Sequence, residues 1–165
     1  MHGAYLKKTI PVAIIFSFWL MSVVFRPGIG YAQKTQCRPT PPDHQGPFYR
    51  PGAPVRNSVG EGYLLEGTVK SAADCAPLPK AEIEFWLVNE QAVYDDAHRA
   101  TVPVDTNGQY HFESNKPPHY GGRLPHIHIR VTAPNHHPLV TQHYPEPGAA
   151  HATFDLVLEK KESGP

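Results

Sequence analysis

Apolar and polar residues alternate in short runs along the later two-thirds of the chain. Between Gly62 and Lys70 the alternation gathers Tyr63, Leu65 and Val69 on one face. Between Glu82 and Val88 it gathers Ile83, Phe85 and Leu87, with Glu82 and Glu84 opposite. A period of two marks a half-buried strand, because successive side chains point to opposite faces. Further runs at Thr101–Val104, Gln109–Phe112, Pro125–Thr132, Leu139–His143 and Ala152–Leu158 bring the count to six or seven short strands. Asp105-Thr106-Asn107-Gly108 separates two of them, and Asn-Gly predicts a hairpin turn. No stretch sustains helical periodicity with caps, and no internal repeat is present. The pattern predicts an all-β fold, an antiparallel β-sandwich over residues 62–160, with 161–165 as a short tail.

Residues 33–61 break the pattern. They carry Pro39, Pro41, Pro42, Pro47, Pro51 and Pro54. Proline fixes φ and removes an amide donor, so this stretch reads as an extended arm rather than a helix or a central strand. Ahead of it, Lys7 and Lys8 precede an apolar run from Thr9 to Phe25, and Gly30-Tyr31-Ala32 follows with small residues two apart. Residues 1–32 therefore read as a signal peptide, and export to the periplasm or outside the cell is expected. A single membrane anchor formed by residues 9–25 is the alternative. Cleavage would leave no stable membrane span and a slightly acidic remainder, since it removes Lys7, Lys8 and Arg26.

Composition narrows the function classes. In 165 residues there are 19 Pro and 13 Gly, and 18% are charged, which excludes a coiled coil or long helical bundle. Fifteen basic and fifteen acidic residues cancel, so no nucleic-acid partner is expected. Cys37 and Cys75 are the two cysteines, both beyond the leader. In an oxidising compartment they read as a disulfide, since so widely spaced a pair matches no zinc pattern.

The segment from Tyr120 to Val131 carries the chemistry. On a strand, His126, His128 and Arg130 point one way while Ile127, Ile129 and Val131 point into the core. Two imidazoles on one face can share a metal ion, although His-x-His on its own is a weak signal. Pro125 places the pair near a sheet end, where sites tend to be built.

Other fragments stand around this strand in a fixed order. They are Gly46-Pro47-Phe48-Tyr49, Phe85-Trp86, Tyr94, Asp105-Thr106-Asn107-Gly108-Gln109-Tyr110-His111-Phe112, Tyr120 and Arg123-Leu124-Pro125-His126-Ile127-His128. In this order the chain resembles the intradiol ring-cleavage dioxygenase family of catechol, hydroxyquinol and protocatechuate dioxygenases, from about Thr40 to Val157. The resemblance implies a non-haem Fe(III) held by Tyr94, Tyr120, His126 and His128. It implies that a catechol-type substrate and O2 are the partners, and that the ring opens to a cis,cis-muconate. Tyr120 would be the ligand that leaves on substrate binding, and Gly121 and Gly122 would let it move. Arg123 would be catalytic, stabilising negative charge on the ring. Pro47, Tyr49 and Gln142 would contact substrate, with Tyr144 near the pocket. Phenolate is a hard donor that suits the ferric state, and two tyrosinates with one hydroxide neutralise Fe³⁺.

His136, His137, His143 and His151 match no ligand of that family and read as surface histidines, and Arg130 as structural. Ala92 stands where the family usually has glycine. No residue selects one catechol, and the oligomeric state is left open. Two other readings remain: a non-catalytic transthyretin-like binding module, and a copper or zinc sandwich protein.

Overall fold

The computed structural model describes residues 37–162 and 164. The leader assigned to residues 1–32 lies outside them. Eight strands make up the fold, β1 (Tyr63–Ser71), β2 (Glu82–Val88), β3 (Tyr94–Pro103), β4 (Gln109–Ser114), β5 (Ile127–Thr132), β6 (Leu139–His143), β7 (His151–Thr153) and β8 (Leu156–Leu158). One sheet runs β3-β2-β5-β6. In the other β1 lies between β4 and β7, and β8 continues along β1. The sandwich is antiparallel except that β7 and β8 pair parallel to β1.

The alternation read from the sequence builds the core. Tyr63, Leu65 and Val69 of β1 meet Ile83, Phe85 and Leu87 of β2 and Ile127, Ile129 and Val131 of β5, all buried. Phe85 stacks on Phe112 across the sheets at 4.1 Å between ring centres. Each such side chain stabilises the fold by about 1.5–3 kcal/mol.

Four expectations need correction. The Asp105–Gly108 turn forms, with the Gly108 amide on the Asp105 carbonyl at 3.0 Å. Yet β3 and β4 do not pair with each other. β3 pairs with β2 and β4 with β1, so the turn carries the chain from one sheet to the other. The strand expected at Thr101–Val104 begins earlier, at Tyr94, because Asp95, Asp96, His98 and Arg99 interrupt the apolar alternation without ending the extended backbone. The run Ala152–Leu158 is two strands. It breaks where the Asp155 carboxylate accepts from the Thr68 amide at 2.9 Å.

The fourth concerns two histidines read as surface residues. His136 is buried, donating from Nδ1 to the Pro134 carbonyl at 2.8 Å with Nε2 3.0 Å from the Ser71 hydroxyl. His143 is half-buried, its Nε2 2.6 Å from the Tyr63 hydroxyl. The Ser71 and Tyr63 hydroxyls that meet their Nε2 atoms are distant in sequence, which no motif records.

The Pro-rich arm covers the outer face of the β3-β2-β5-β6 sheet. Its start is tied by the disulfide Cys37–Cys75. Onward, the Asp43 amide donates to the Val140 carbonyl at 2.9 Å, and the Thr141 hydroxyl donates to the Pro41 carbonyl at 2.9 Å. Beyond Pro54 it bridges two sheet edges, Val55 lying beside Thr101 of β3 and Ser58 beside Glu113 of β4. Because the arm lies on it, the face opposite the core is also buried: Glu84, Trp86 and His128 are at most 8% exposed.

Candidate metal centre

His128 stands on the outer face of β5, opposite Trp86 of β2 on one side and Gln142 of β6 on the other. The indole and imidazole stack at 4.9 Å with planes 4° apart. His126 comes immediately before β5. Its Nδ1–H donates to the Leu124 carbonyl at 2.7 Å, which leaves Nε2 as a bare lone pair. Tyr94 arrives from the start of β3 by an irregularity in the β2–β3 pairing. Trp86 pairs with Arg99 and Val88 with Tyr94, so Leu87 faces the whole stretch Asp95–His98. The Asp95 carboxylate holds that bulge, accepting from the His98 amide at 2.9 Å and contacting His98 Nδ1 at 2.7 Å. Bulges of this kind re-aim a neighbouring side chain.

The result is a convergence. Tyr94 Oη is 2.9 Å from His128 Nε2 and 3.3 Å from His126 Nε2. Donors about 2.0–2.2 Å from one ion lie about 2.8–3.6 Å from each other at right-angled to tetrahedral geometry. Tyr94 Oη is therefore spaced from each imidazole nitrogen as one ligand of a cation is from the next. Tyr120 meets the Tyr94 ring edge-on at 5.3 Å, completing the residues that could hold the ion. The backbone pairing of Tyr120 with Arg123 seats the arginine beside them.

The electrostatics fit. Burial pushes the Tyr94 phenol up to about 12, with Tyr120 adding to the rise and Arg123 and Arg99 opposing it. Burial likewise pulls His128 down to about 3 and lowers His126, with Arg123 contributing to both. Both imidazoles are therefore neutral lone-pair donors at neutral pH. A phenolate in this site is costly unless a cation balances it. The backbone of His44 lies near enough to His128 to favour the protonated ring slightly. Nδ1 nonetheless closes no hydrogen bond there and stays buried without a partner.

The arm walls the site. Phe48 stacks on Tyr94 at 4.4 Å and meets Tyr120 edge-on at 5.9 Å. Gly46 has φ +69°, and a Cβ there would lie 3.3 Å from Cε1 of His128. Packing across the arm gives Phe48 and Gly46 places that spacing along the chain does not.

The remaining expected residues divide. Gln142 is buried beside the donors and accepts from Arg123 Nη2 at 2.7 Å, and its own amide donates to the His44 carbonyl. Pro47 is exposed in the turn before Phe48. Tyr49 packs against Trp86 at 5.1 Å, with its hydroxyl on the Glu84 carboxylate at 3.0 Å. Arg130 closes the other side of Glu84 as an ion pair.

No family model matches the chain. It is 32% identical over 151 residues to hydroxyquinol 1,2-dioxygenase of Corynebacterium glutamicum, covering 72% of this chain and 50% of the relative. It is 29% identical over 141 residues to catechol 1,2-dioxygenase of Acinetobacter baylyi, covering 62% and 45%. The chain thus spans about half the length of the curated relatives it matches. Among solved structures, the dioxygenase domain of a dioxygenase–carbohydrate-binding fusion from Streptomyces sp. SirexAA-E superposes with TM-score 0.68 at 28% identity, covering 74% of this chain and 99% of that one. Chlorocatechol 1,2-dioxygenase from Pseudomonas putida shares the fold, with TM-score 0.63 at 21% identity over 72% of each chain. By these likenesses, and by the ordered tyrosine and histidine positions, the chain is similar in sequence and fold to the intradiol ring-cleavage dioxygenases.

Proposed function

We propose that the chain is an exported oxidoreductase that holds non-haem Fe(III) on Tyr94, Tyr120, His126 and His128. Its reaction is cleavage of a catechol-type ring with O2 to a cis,cis-muconate-type product. The observation that carries this is the meeting of Tyr94 Oη with two histidine Nε2 atoms within 3.3 Å. The chemistry that Fe(III) supplies when bound is Lewis-acid activation of a catecholate toward O2.

The chain's own residues do the rest. Tyr94 and Tyr120 ionise to phenolates, and the cation offsets the burial that otherwise holds Tyr94 protonated. Tyr120 would be the residue that yields to substrate, its hydroxyl oxygen taking up one proton from the catechol. The turn after it permits this, since Gly121 and Gly122 have φ +56° and +78° and meet no neighbour there. Arg123 carries a permanent charge against which negative charge on the ring can develop. Export rests on the leader reading of residues 1–32. An exported enzyme would meet catechols released from plant material, and the Streptomyces relative, from a cellulolytic bacterium, agrees with that source. A transthyretin-like module leaves the Tyr94–histidine convergence without a use.

The test is metal content, visible absorption and oxygen uptake with catechol, hydroxyquinol and protocatechuate. Bound iron with a red-purple tyrosinate band, and uptake on at least one substrate, is expected. Arg123→Ala should still change colour with catechol while turnover falls about a hundredfold. A colourless zinc protein, or copper in place of iron, refutes the assignment.

A further inference from the structure

Arg123 is held on one side of its guanidinium. Its Nη2 donates to Gln142 Oε1 at 2.7 Å and to the Tyr144 hydroxyl at 3.1 Å. The Tyr144 hydroxyl has one proton and two acceptors in reach, Asp43 Oδ2 at 2.8 Å and Gln142 Oε1 at 3.0 Å. The carboxylate is nearer and charged, and charge-assisted bonds are the stronger ones, so the proton goes to Asp43. Gln142 Oε1 is then left to Arg123, and Gln142 Nε2 donates to the His44 carbonyl. Two consecutive arm residues, Asp43 and His44, thus grip the two β6-side residues that grip Arg123.

Asp43 and Arg123 are opposite charges that both bond the same hydroxyl oxygen. A direct guanidinium–carboxylate pair is bidentate and competes well with any neutral partner. What prevents it here is the phenol between them. Resting on the iron-dioxygenase reading above, we propose that Tyr144 is a positioning residue: it separates Arg123 from Asp43 and so keeps the cation at Gln142, across the sheet from His128, uncancelled by the carboxylate. Without the hydroxyl, the guanidinium turns onto Asp43. Its charge is then spent on the arm and withdrawn from the ring.

Unlike simple loss of a hydrogen bond, this damage should be repaired by removing the Asp43 charge. Tyr144 is 38% exposed, so Tyr144→Phe leaves the fold intact. In Tyr144→Phe, turnover should fall about tenfold to a hundredfold, with KM little changed and with the colour shift on binding 4-nitrocatechol retained. Tyr144→Phe combined with Asp43→Asn should recover most of that loss, because an amide offers Arg123 no charge. A crystal structure of Tyr144→Phe should show the guanidinium on the Asp43 carboxylate. An unmoved guanidinium, or a double variant as slow as Tyr144→Phe alone, overturns the spacer role. The crystallographic arm decides it even if the wild-type protein turns over no catechol, an outcome that would sink the dioxygenase reading instead.

Discussion

Gly46 offers the sharpest test of whether the arm supports the metal centre. Its φ of +69° is one that residues with a side chain rarely adopt, and a Cβ there would press on Cε1 of His128 at 3.3 Å. Gly46→Ala therefore combines two effects. Left-handed backbone costs a side-chain-bearing residue about 1–2 kcal/mol, and the contact displaces an imidazole whose Nε2 is a proposed ligand. Gly52 separates the two. It has φ +80° but nothing within 4 Å of its Cβ position. Gly52→Ala thus carries the backbone strain alone. Both variants should melt lower, by about 3–8 °C for a domain of this size. Iron retained through desalting, and the tyrosinate band, should fall in Gly46→Ala and hold in Gly52→Ala. Metal analysis and thermal melts on the same preparations give both readings. If both variants keep iron equally well, His128 is not buttressed by the arm, and the reasoning fails.

Tyr94→Phe removes the phenolate that sits on both histidines, so it should abolish most of the visible band and loosen iron, as metal analysis would show; full colour would mean another ligand set. Cys37 and Cys75 close a loop of sequence separation 38. Replacing both by serine should lower stability by about 4 kcal/mol in chemical denaturation, and non-reducing mass spectrometry should find no free thiol in the native protein. Burial holds His143 at about 4, below its ordinary 6.5, so the unfolded chain binds a proton the folded one excludes. Stability is therefore full above about pH 6.5 and drains as pH falls toward 4. Allowing for partial exposure, the loss is about 1 kcal/mol between pH 7 and pH 5, and the denaturation midpoint of His143→Gln should be correspondingly less sensitive to acid.

The core was readable because one physical rule fixes it. Leu65 and Val69, Ile83 and Phe85, and Ile127 and Ile129 alternate with polar neighbours, and each alternation became a buried face. The second buried face was not readable. Glu84, Trp86 and His128 look outward on a strand, and only the arm, folding back across four strands, removes them from water. The same long-range event brings Gly46 to His128 and Phe48 to Tyr94. The Asn-Gly turn was read correctly as a turn and wrongly as a hairpin, since turn chemistry is local while the choice of pairing partner is not. The placement of Tyr94 depends on a bulge held by Asp95 and His98, a contact between polar side chains that apolar periodicity cannot signal. Tyr94, Tyr120, His126 and His128 were found by order along the chain, and their spacing in three dimensions came from the fold.

The arm's passage along two sheet edges bears on how the protein behaves in concentrated solution. β3 and β4 each end a sheet, and an uncovered edge strand is a template for pairing with another molecule. Val55 lies beside Thr101, with the Arg56 amide donating to the Thr101 carbonyl at 3.1 Å and the Thr101 amide donating to the Pro54 carbonyl at 2.8 Å. The Val59 amide donates to the Glu113 carbonyl at 2.9 Å and the Glu113 amide to the Asn57 carbonyl at 2.8 Å, which closes the second edge. Proteolysis near residue 60 together with reduction of Cys37–Cys75 would free the arm and uncover both edges at once, and the released sandwich would self-associate through β3 and β4 rather than persist as single molecules.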